Sequence, residues 1–214
     1  MENPDFLQNE LFSSLTIREK EILKNNSAVL DFEEEEMLFK NGSFCSSVYF
    51  VGEGSIRLRK TDHNLFFILE KGDVLGLDSV FNEDPVYFSA YAAGESRIVQ
   101  IGANVIRNFI SSNSLFLSAV GRKNNESNRK LISSLLEYRD RKINGAFATF
   151  LLRYDGHPCI DDLTRKEIGE IIGYSRENVT KVIRNLISEG VVEENGRHLR
   201  MVDRKKLEIL KNKG

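Results

Sequence analysis

The chain has 214 residues, 41% of them hydrophobic and 29% charged, with a formal net charge of −2, an ordinary globular composition. No apolar run approaches the ~20 residues needed to cross a bilayer, and the opening residues Met1 to Asp5 lack the basic and apolar regions of a signal peptide, so a cytoplasmic protein with no membrane partner is expected. The charge is unevenly spread: residues 164–214 hold 12 of the 30 basic and 8 of the 32 acidic side chains, a balance of +4 against −6 for the rest, which fits a C-terminal part that faces a polyanion.

In chain order, Leu11, Leu15, Ile22 and Leu23 first mark the apolar stripe of a short helix, for which Thr16-Ile17-Arg18-Glu19 offers a capping box. From Ala28 the pattern changes to short apolar runs at 48–51, Ile56 with Leu58, 65–69, 74–77, 86–93 and 98–101. Gly42, Gly52, Gly54, Gly72, Gly76 and Gly94 punctuate them, and many short strands with regular turns predict a sandwich or small barrel. The acidic run at 33–36 reads as an exposed strand or turn without chemistry.

Residues 103–138 read as helix, with Ile106, Phe109 and Ile110 packing a first short segment. Beyond it the apolar positions thin to Val120, Leu131, Leu135 and Tyr138, near the heptad spacing of a helix that pairs with its own copy. Asn124, Ser127 and Ser134 interrupt that seam; the alternative is a helix packed only on its own barrel.

From Ile143 a helix face of Ala146, Phe147, Phe150, Leu151 and Leu152 runs to a break at Asp155-Gly156-His157-Pro158. Thr164 and Glu167 then make a capping box for a short helix, Gly173 supplies a sharp turn, and Ser175 caps a second helix that buries Val179, Val182, Ile183 and Leu186. Two short helices joined by a tight glycine turn have the geometry of a helix-turn-helix. Asn195-Gly196, between apolar pairs, predicts a hairpin that completes a winged helix.

In that motif the first residues of the second helix face base edges in the major groove of double-stranded DNA. Here they are Arg176, Glu177, Asn178 and, one turn on, Lys181. The arginine fork matches guanine O6 and N7, the glutamate can accept from cytosine N4, the asparagine can read adenine, and the lysine can reach guanine or a phosphate. Thr164, Arg165, Lys166 and Ser175 sit at helix N-termini, where free N–H groups, hydroxyls and positive charge suit phosphate oxygens.

At these residues the chain resembles the catabolite activator and fumarate–nitrate regulator (Crp/Fnr) family of bacterial transcription factors. Residues 163–169 and Ser175-Arg176-Glu177-Asn178-Val179 look like its helix-turn-helix signature, and residues 48–56 and 72–76 look like the glycine-marked strands of its cyclic-nucleotide-binding roll. The resemblance implies an α+β chain: a β-roll (jelly roll) over 1–113, a dimerisation helix and hinge over 114–142, and a winged helix-turn-helix over 143–214. It also implies a homodimer on a near-palindromic operator, with RNA polymerase as a partner.

Members of the family that bind cyclic AMP carry a glutamate where this chain has Leu77 after Gly76, and an arginine where Phe88 precedes Ser89. The positions matching their threonine–serine pair are Leu131 and Ile132. A buried phosphate without a cation is costly, so cyclic AMP is not expected as effector. An iron–sulfur cluster would need about four thiolates, whereas Cys45 and Cys159 are far apart and read as reduced thiols. His63, His157 and His198 share no metal-ligand spacing, so neither haem nor another metal is expected, and no residue is nominated as catalytic. What remains is an apolar pocket of Phe67, Leu69, Leu77, Phe88, Ser89, Tyr91, Leu131, Ile132 and Leu135, for an unknown small molecule or simply filled by these side chains. A competing reading is a ligand-sensing roll that signals through protein contacts without specific DNA binding.

Overall fold

The computed structural model describes residues 6–60, 64–157, 163–196 and 198–213, so His63 and Cys159 lie outside the described residues. Contacts divide these into two compact units, residues 6–60 with 68–131, and residues 64–67 with 132–213.

In the first unit, helix α1 (Ile17–Asn25) starts at the expected capping box: the Thr16 N–H donates to the Glu19 carboxylate at 2.7 Å and the Glu19 N–H to the Thr16 hydroxyl at 3.2 Å. Leu23 is fully buried, but its neighbour Ile22 is 42% exposed, since adjacent residues of a helix cannot share a face. Among the described residues eight strands follow: β1 (Ser27–Phe32), β2 (Met37–Phe39), β3 (Ser47–Glu53), β4 (Ser55–Arg59), β5 (Leu65–Glu70, whose first residues group with the second unit), β6 (Val74–Leu75), β7 (Ser89–Ala92) and β8 (Ser96–Gly102). They form two four-stranded sheets, ordered β1-β8-β3-β6 and β2-β7-β4-β5.

Strand alternation sends Val48, Phe50, Val99 and Ile101 to one face of the first sheet. There they join Leu11, Phe12, Leu23, Leu77, Ile106, Phe116 and Val120 in one buried cluster under the helices. Tyr49 points the other way and meets Phe39 of β2, ring centroids 5.8 Å apart, so that face looks onto the second sheet.

The predicted helix over 103–138 is two helices, α2 (Ala103–Ser112) and α3 (Ser114–Glu137). Asn113 divides them: its N–H donates to Phe109 O, and its side chain accepts the Phe116 N–H, each at 3.0 Å. The seam expected along α3 needs correction. Val120 is fully buried in the cluster just described, and Tyr138 is 5% exposed beyond the helix end, where burial pushes its phenol pKa up. Each is buried within its own unit, because sparse apolar spacing also marks positions that pack on the chain itself. The outward row at heptad spacing is instead Leu117, Gly121, Asn124, Asn128, Leu131 and Leu135, with Ile132 beside it.

The second unit holds α4 (Ile143–Arg153), α5 (Arg165–Ile172), α6 (Arg176–Ser188), the hairpin β9 (Val192–Asn195) and β10 (His198–Met201), and α7 (Arg204–Lys213). Phe147, Phe150, Ile168, Ile172, Val179, Ile183, Leu186 and Leu207 are buried within it. The hairpin register pairs Asn195 with His198, so Gly196, at φ 65°, is the first residue of the turn rather than the second. Helix α7 lies outside the elements expected from the sequence; its signal is Asp203, whose side chain accepts the Lys206 N–H at 2.9 Å ahead of buried Leu207. Among the described residues, no helix is long and apolar enough to cross a membrane and no group of three or more His, Cys, Asp or Glu could hold a metal ion.

Candidate nucleic-acid interface

Helix α5 begins where the sequence places it. The Thr164 N–H donates to the Glu167 carboxylate at 2.9 Å and the Glu167 N–H to the Thr164 hydroxyl at 3.2 Å. The helix ends at Gly173, whose φ of 80° is left-handed and strained for any residue with a Cβ. The turn folds back so closely that a Cβ on Gly169 would lie 2.4 Å from the Tyr174 carbonyl oxygen. Only glycine at 169 leaves room for so close a return of the chain.

Ser175 caps α6, its hydroxyl accepting the Asn178 N–H at 3.3 Å. Val179, Val182, Ile183 and Leu186 are buried below, each contributing roughly 1.5–3 kcal/mol relative to exposure. On the opposite side Arg176, Glu177, Thr180, Lys181, Arg184 and Asn185 line one open depression. Thr180, Arg184 and Asn185 extend the expected set by continuing its row at i+4 and i+8. Asn178 is exposed but stands outside that row. The Glu177 carboxyl is held below its ordinary range by a main-chain N–H and by the Ser175 hydroxyl, as suits an anion in the first turn of a helix.

The cations of this unit fall into two groups. Arg153 pairs with Glu137, Arg204 with Asp155 and Lys206 with Glu189. Arg176, Lys181 and Arg184 have no ion pair among the described residues. Two residues expected at phosphates are already engaged: Arg165 grips Glu194 of β9 through two bonds of 2.6 and 2.9 Å, and Lys166 lies 3.7 Å from Glu170. Thr164 and Ser175 keep their positions at the helix starts but spend their hydroxyls on caps.

The pocket expected in the roll is not assembled as read. Leu77 belongs to the helix-covered cluster on the far side of the first sheet. Phe88 meets Phe39, ring centroids 5.9 Å apart, on the side facing Tyr49. Ser89 and Tyr91 lie across from Arg59 and Arg57 of β4, on the face opposite Ala90. A strand alternates sides every residue, so consecutive apolar positions cannot line one cavity. Phe67 and Leu69 are buried on β5, Leu131 is half-buried, and Ile132 and Leu135 are 55% and 47% exposed on α3.

The acidic run is a turn with a structural task that composition hides. Glu35, at φ 65°, accepts from Arg57 at 3.0 Å and from both Nη atoms of Arg59 at 2.6 and 2.8 Å. The Arg59 guanidinium also lies 4.9 Å from the centre of the Tyr91 ring. Cys45 donates to the Ser47 carbonyl, and burial pushes its thiol pKa up.

Residues 29–113 match the cyclic nucleotide-binding domain and residues 129–210 the Crp-like helix-turn-helix domain. A CRP-like cAMP-activated global transcriptional regulator of Mycobacterium tuberculosis is 22% identical over 191 residues, covering 83% of this chain and 85% of that protein. The cyclic AMP receptor protein of Thermus thermophilus is 23% identical over 169 residues, covering 75% and 77%. Among solved structures, a putative transcriptional regulator of the crp/fnr family from Eubacterium rectale superposes with a TM-score of 0.78 at 16% identity, covering 95% of this chain and 98% of that one. FixK2 from Bradyrhizobium japonicum gives 0.73 at 18% identity, covering 86% and 96%.

Proposed function

The chain belongs to the Crp/Fnr family of DNA-binding transcription regulators, and from that premise we propose that it works as a homodimer whose two α6 helices read the half-sites of a near-palindromic operator, without cyclic AMP as effector. The observation that carries the DNA reading is the row on α6. Three cations without ion pairs among the described residues stand beside a carboxylate, a hydroxyl and an amide on one exposed helix face. Arg176, Glu177 and Lys181 would read base edges, with Asn178 at the margin. The N-termini of α5 and α6, with Thr164, Lys166 and Ser175, would meet phosphate oxygens through main-chain N–H groups. RNA polymerase would be the downstream partner and the bacterial cytoplasm the setting.

Two half-sites about one helical turn apart require two copies of the motif. The outward row of α3, with exposed Ile132 and Leu135, supports a second copy there. Against cyclic AMP stands the chemistry of the roll: Phe88 packs on Phe39 where a phosphate would need a cation, and Leu77 is buried elsewhere.

The test is selection of duplexes from a random pool by the full-length protein, then titration of the selected duplex and a scrambled one across a range of salt. A preference of about 10³-fold or more is expected for a specific regulator. Equal affinity for both duplexes would sink the reading in favour of a roll that signals through protein contacts. Calorimetry with cyclic AMP should show no binding; saturable micromolar heat would overturn that part alone.

A further inference from the structure

Helix α3 ends at Glu137 and α4 begins at Ile143, and the five residues between them form a hinge. Within it Asp140 takes φ 63°, a left-handed conformation uncommon for a residue with a Cβ although aspartate enters it more readily than most, so its surroundings matter. Those surroundings are polar. The Arg141 guanidinium donates through Nε to the Glu137 carbonyl at 2.6 Å and through Nη1 to the Lys211 carbonyl. Both acceptors lie in the last turns of helices, α3 and α7, where carbonyls have no partner within the helix and partial negative charge collects. One side chain thus caps two helices. The Glu137 carboxylate closes the assembly, accepting from Arg153 at the end of α4 at 2.9 Å and from Lys211 Nζ at 3.2 Å.

The main-chain carbonyl of Arg141 accepts the hydroxyl of Tyr174. Tyr174 is the residue before Ser175, the N-cap of α6, and its own N–H donates to the Gly169 carbonyl at 2.8 Å. It is tied at the backbone to the end of α5 and at the hydroxyl to the hinge.

We propose that Tyr174 and Arg141 are positioning residues that couple the hinge after α3 to the orientation of α6, with α7 as the third anchor. Neither side chain needs to touch DNA. The inference rests on the DNA-reading role of α6 for its functional consequence, but the coupling itself is a property of the free protein.

The experiment compares full-length wild type with Tyr174→Phe, Arg141→Ala, the double variant, and Tyr87→Phe as a control at an exposed tyrosine. Amide exchange is followed at Tyr174, Asn178 and Val179, each hydrogen-bonded in the structure. Affinity is measured for the selected and scrambled duplexes at fixed salt. Tyr174→Phe should speed exchange at these amides and lower the selected-to-scrambled ratio about three- to tenfold, the size of one lost hydrogen bond. Tyr87→Phe should do neither, and Tyr174→Phe should do less in the Arg141→Ala background than in wild type, because the carbonyl at 141 survives but the side chain that anchors it is gone. Unchanged exchange in Tyr174→Phe, or full additivity in the double variant, would overturn the coupling. If wild type itself shows no duplex preference, the DNA reading fails and the exchange data alone decide the coupling.

Discussion

Arg176 and Lys181 line the same open depression on α6, yet they are expected to act on DNA differently, and salt separates the two roles. Loss of a forked contact to guanine in Arg176→Ala should cost about 1–3 kcal/mol on the selected duplex and relax the preference at one base position. If Lys181 neutralises a phosphate, Lys181→Ala should weaken all duplexes alike and reduce the salt slope by about 1. Identical salt slopes for both variants and wild type would return Lys181 to base reading. Far from DNA, Glu35 illustrates the same dependence on surroundings. Its carboxyl is held below the usual range, first by the hydrogen bond from Arg59 and then by the charges of Arg59 and Arg57. A carboxylate with a lowered folded pKa contributes stability above its unfolded pKa and loses it as the pH falls through the folded value. Glu35 is about half exposed and solvent screens the pair, so Glu35→Gln should destabilise the roll at neutral pH by only about 1 kcal/mol, and the gap to wild type should shrink as acid protonates Glu35. Thermal midpoints taken from neutral pH into acid measure it; a constant gap would remove the ionic explanation.

At the scale of elements, the turn between α5 and α6 is the most demanding feature. Glycine to alanine in a helix normally stabilises by up to about 1 kcal/mol. Gly169→Ala should do the reverse, losing about 1–3 kcal/mol, because the new Cβ would strike the Tyr174 carbonyl and no flexible side chain is there to yield. A raised thermal midpoint for this variant would show that the turn can open. The elements around it were legible because their signals are local: Thr164 with Glu167, Gly173 and Ser175 each act within four residues. Across the roll the strands were legible from their apolar runs, but the face of each residue was not. Phe88, Ser89 and Tyr91 are neighbours in sequence, but alternation and the partners on β2 and β4 set their directions. The same limit explains α3, where Val120 and Tyr138 continue an apolar spacing yet pack inward. The links from Glu35 to β4 and from Arg141 to α7 join residues far apart in sequence, and nothing in spacing announces them.

For the whole molecule, association and charge set how it meets DNA. On α3 the outward row has leucines at its ends and Gly121, Asn124 and Asn128 between, so the end contacts should carry most of the attraction between copies. Ile132→Asp with Leu135→Asp should shift sedimentation to the monomer while leaving the fold intact, whereas Val120→Asp should unfold the roll; a stable dimer in the first variant would place the interface elsewhere. The charge balance carries a second argument. The C-terminal part is basic, yet Arg165, at the start of α5, is neutralised by Glu194 on the first strand of the wing. Both side chains are about one-third exposed, so the pair is moderately screened and can be separated without a large loss of stability. Removing the carboxylate in Glu194→Gln does two things at once: it deletes a charge that repels the phosphate backbone and it releases a guanidinium beside the N-terminus of α5. If that guanidinium then takes a phosphate, affinity for both selected and scrambled duplexes should rise at low salt, and the slope of log affinity against log salt should steepen by about 0.9. The ratio of the two affinities should stay fixed, because a phosphate contact carries no sequence information. Weaker binding with an unchanged slope would mean instead that the Arg165–Glu194 pair serves to hold the wing in place.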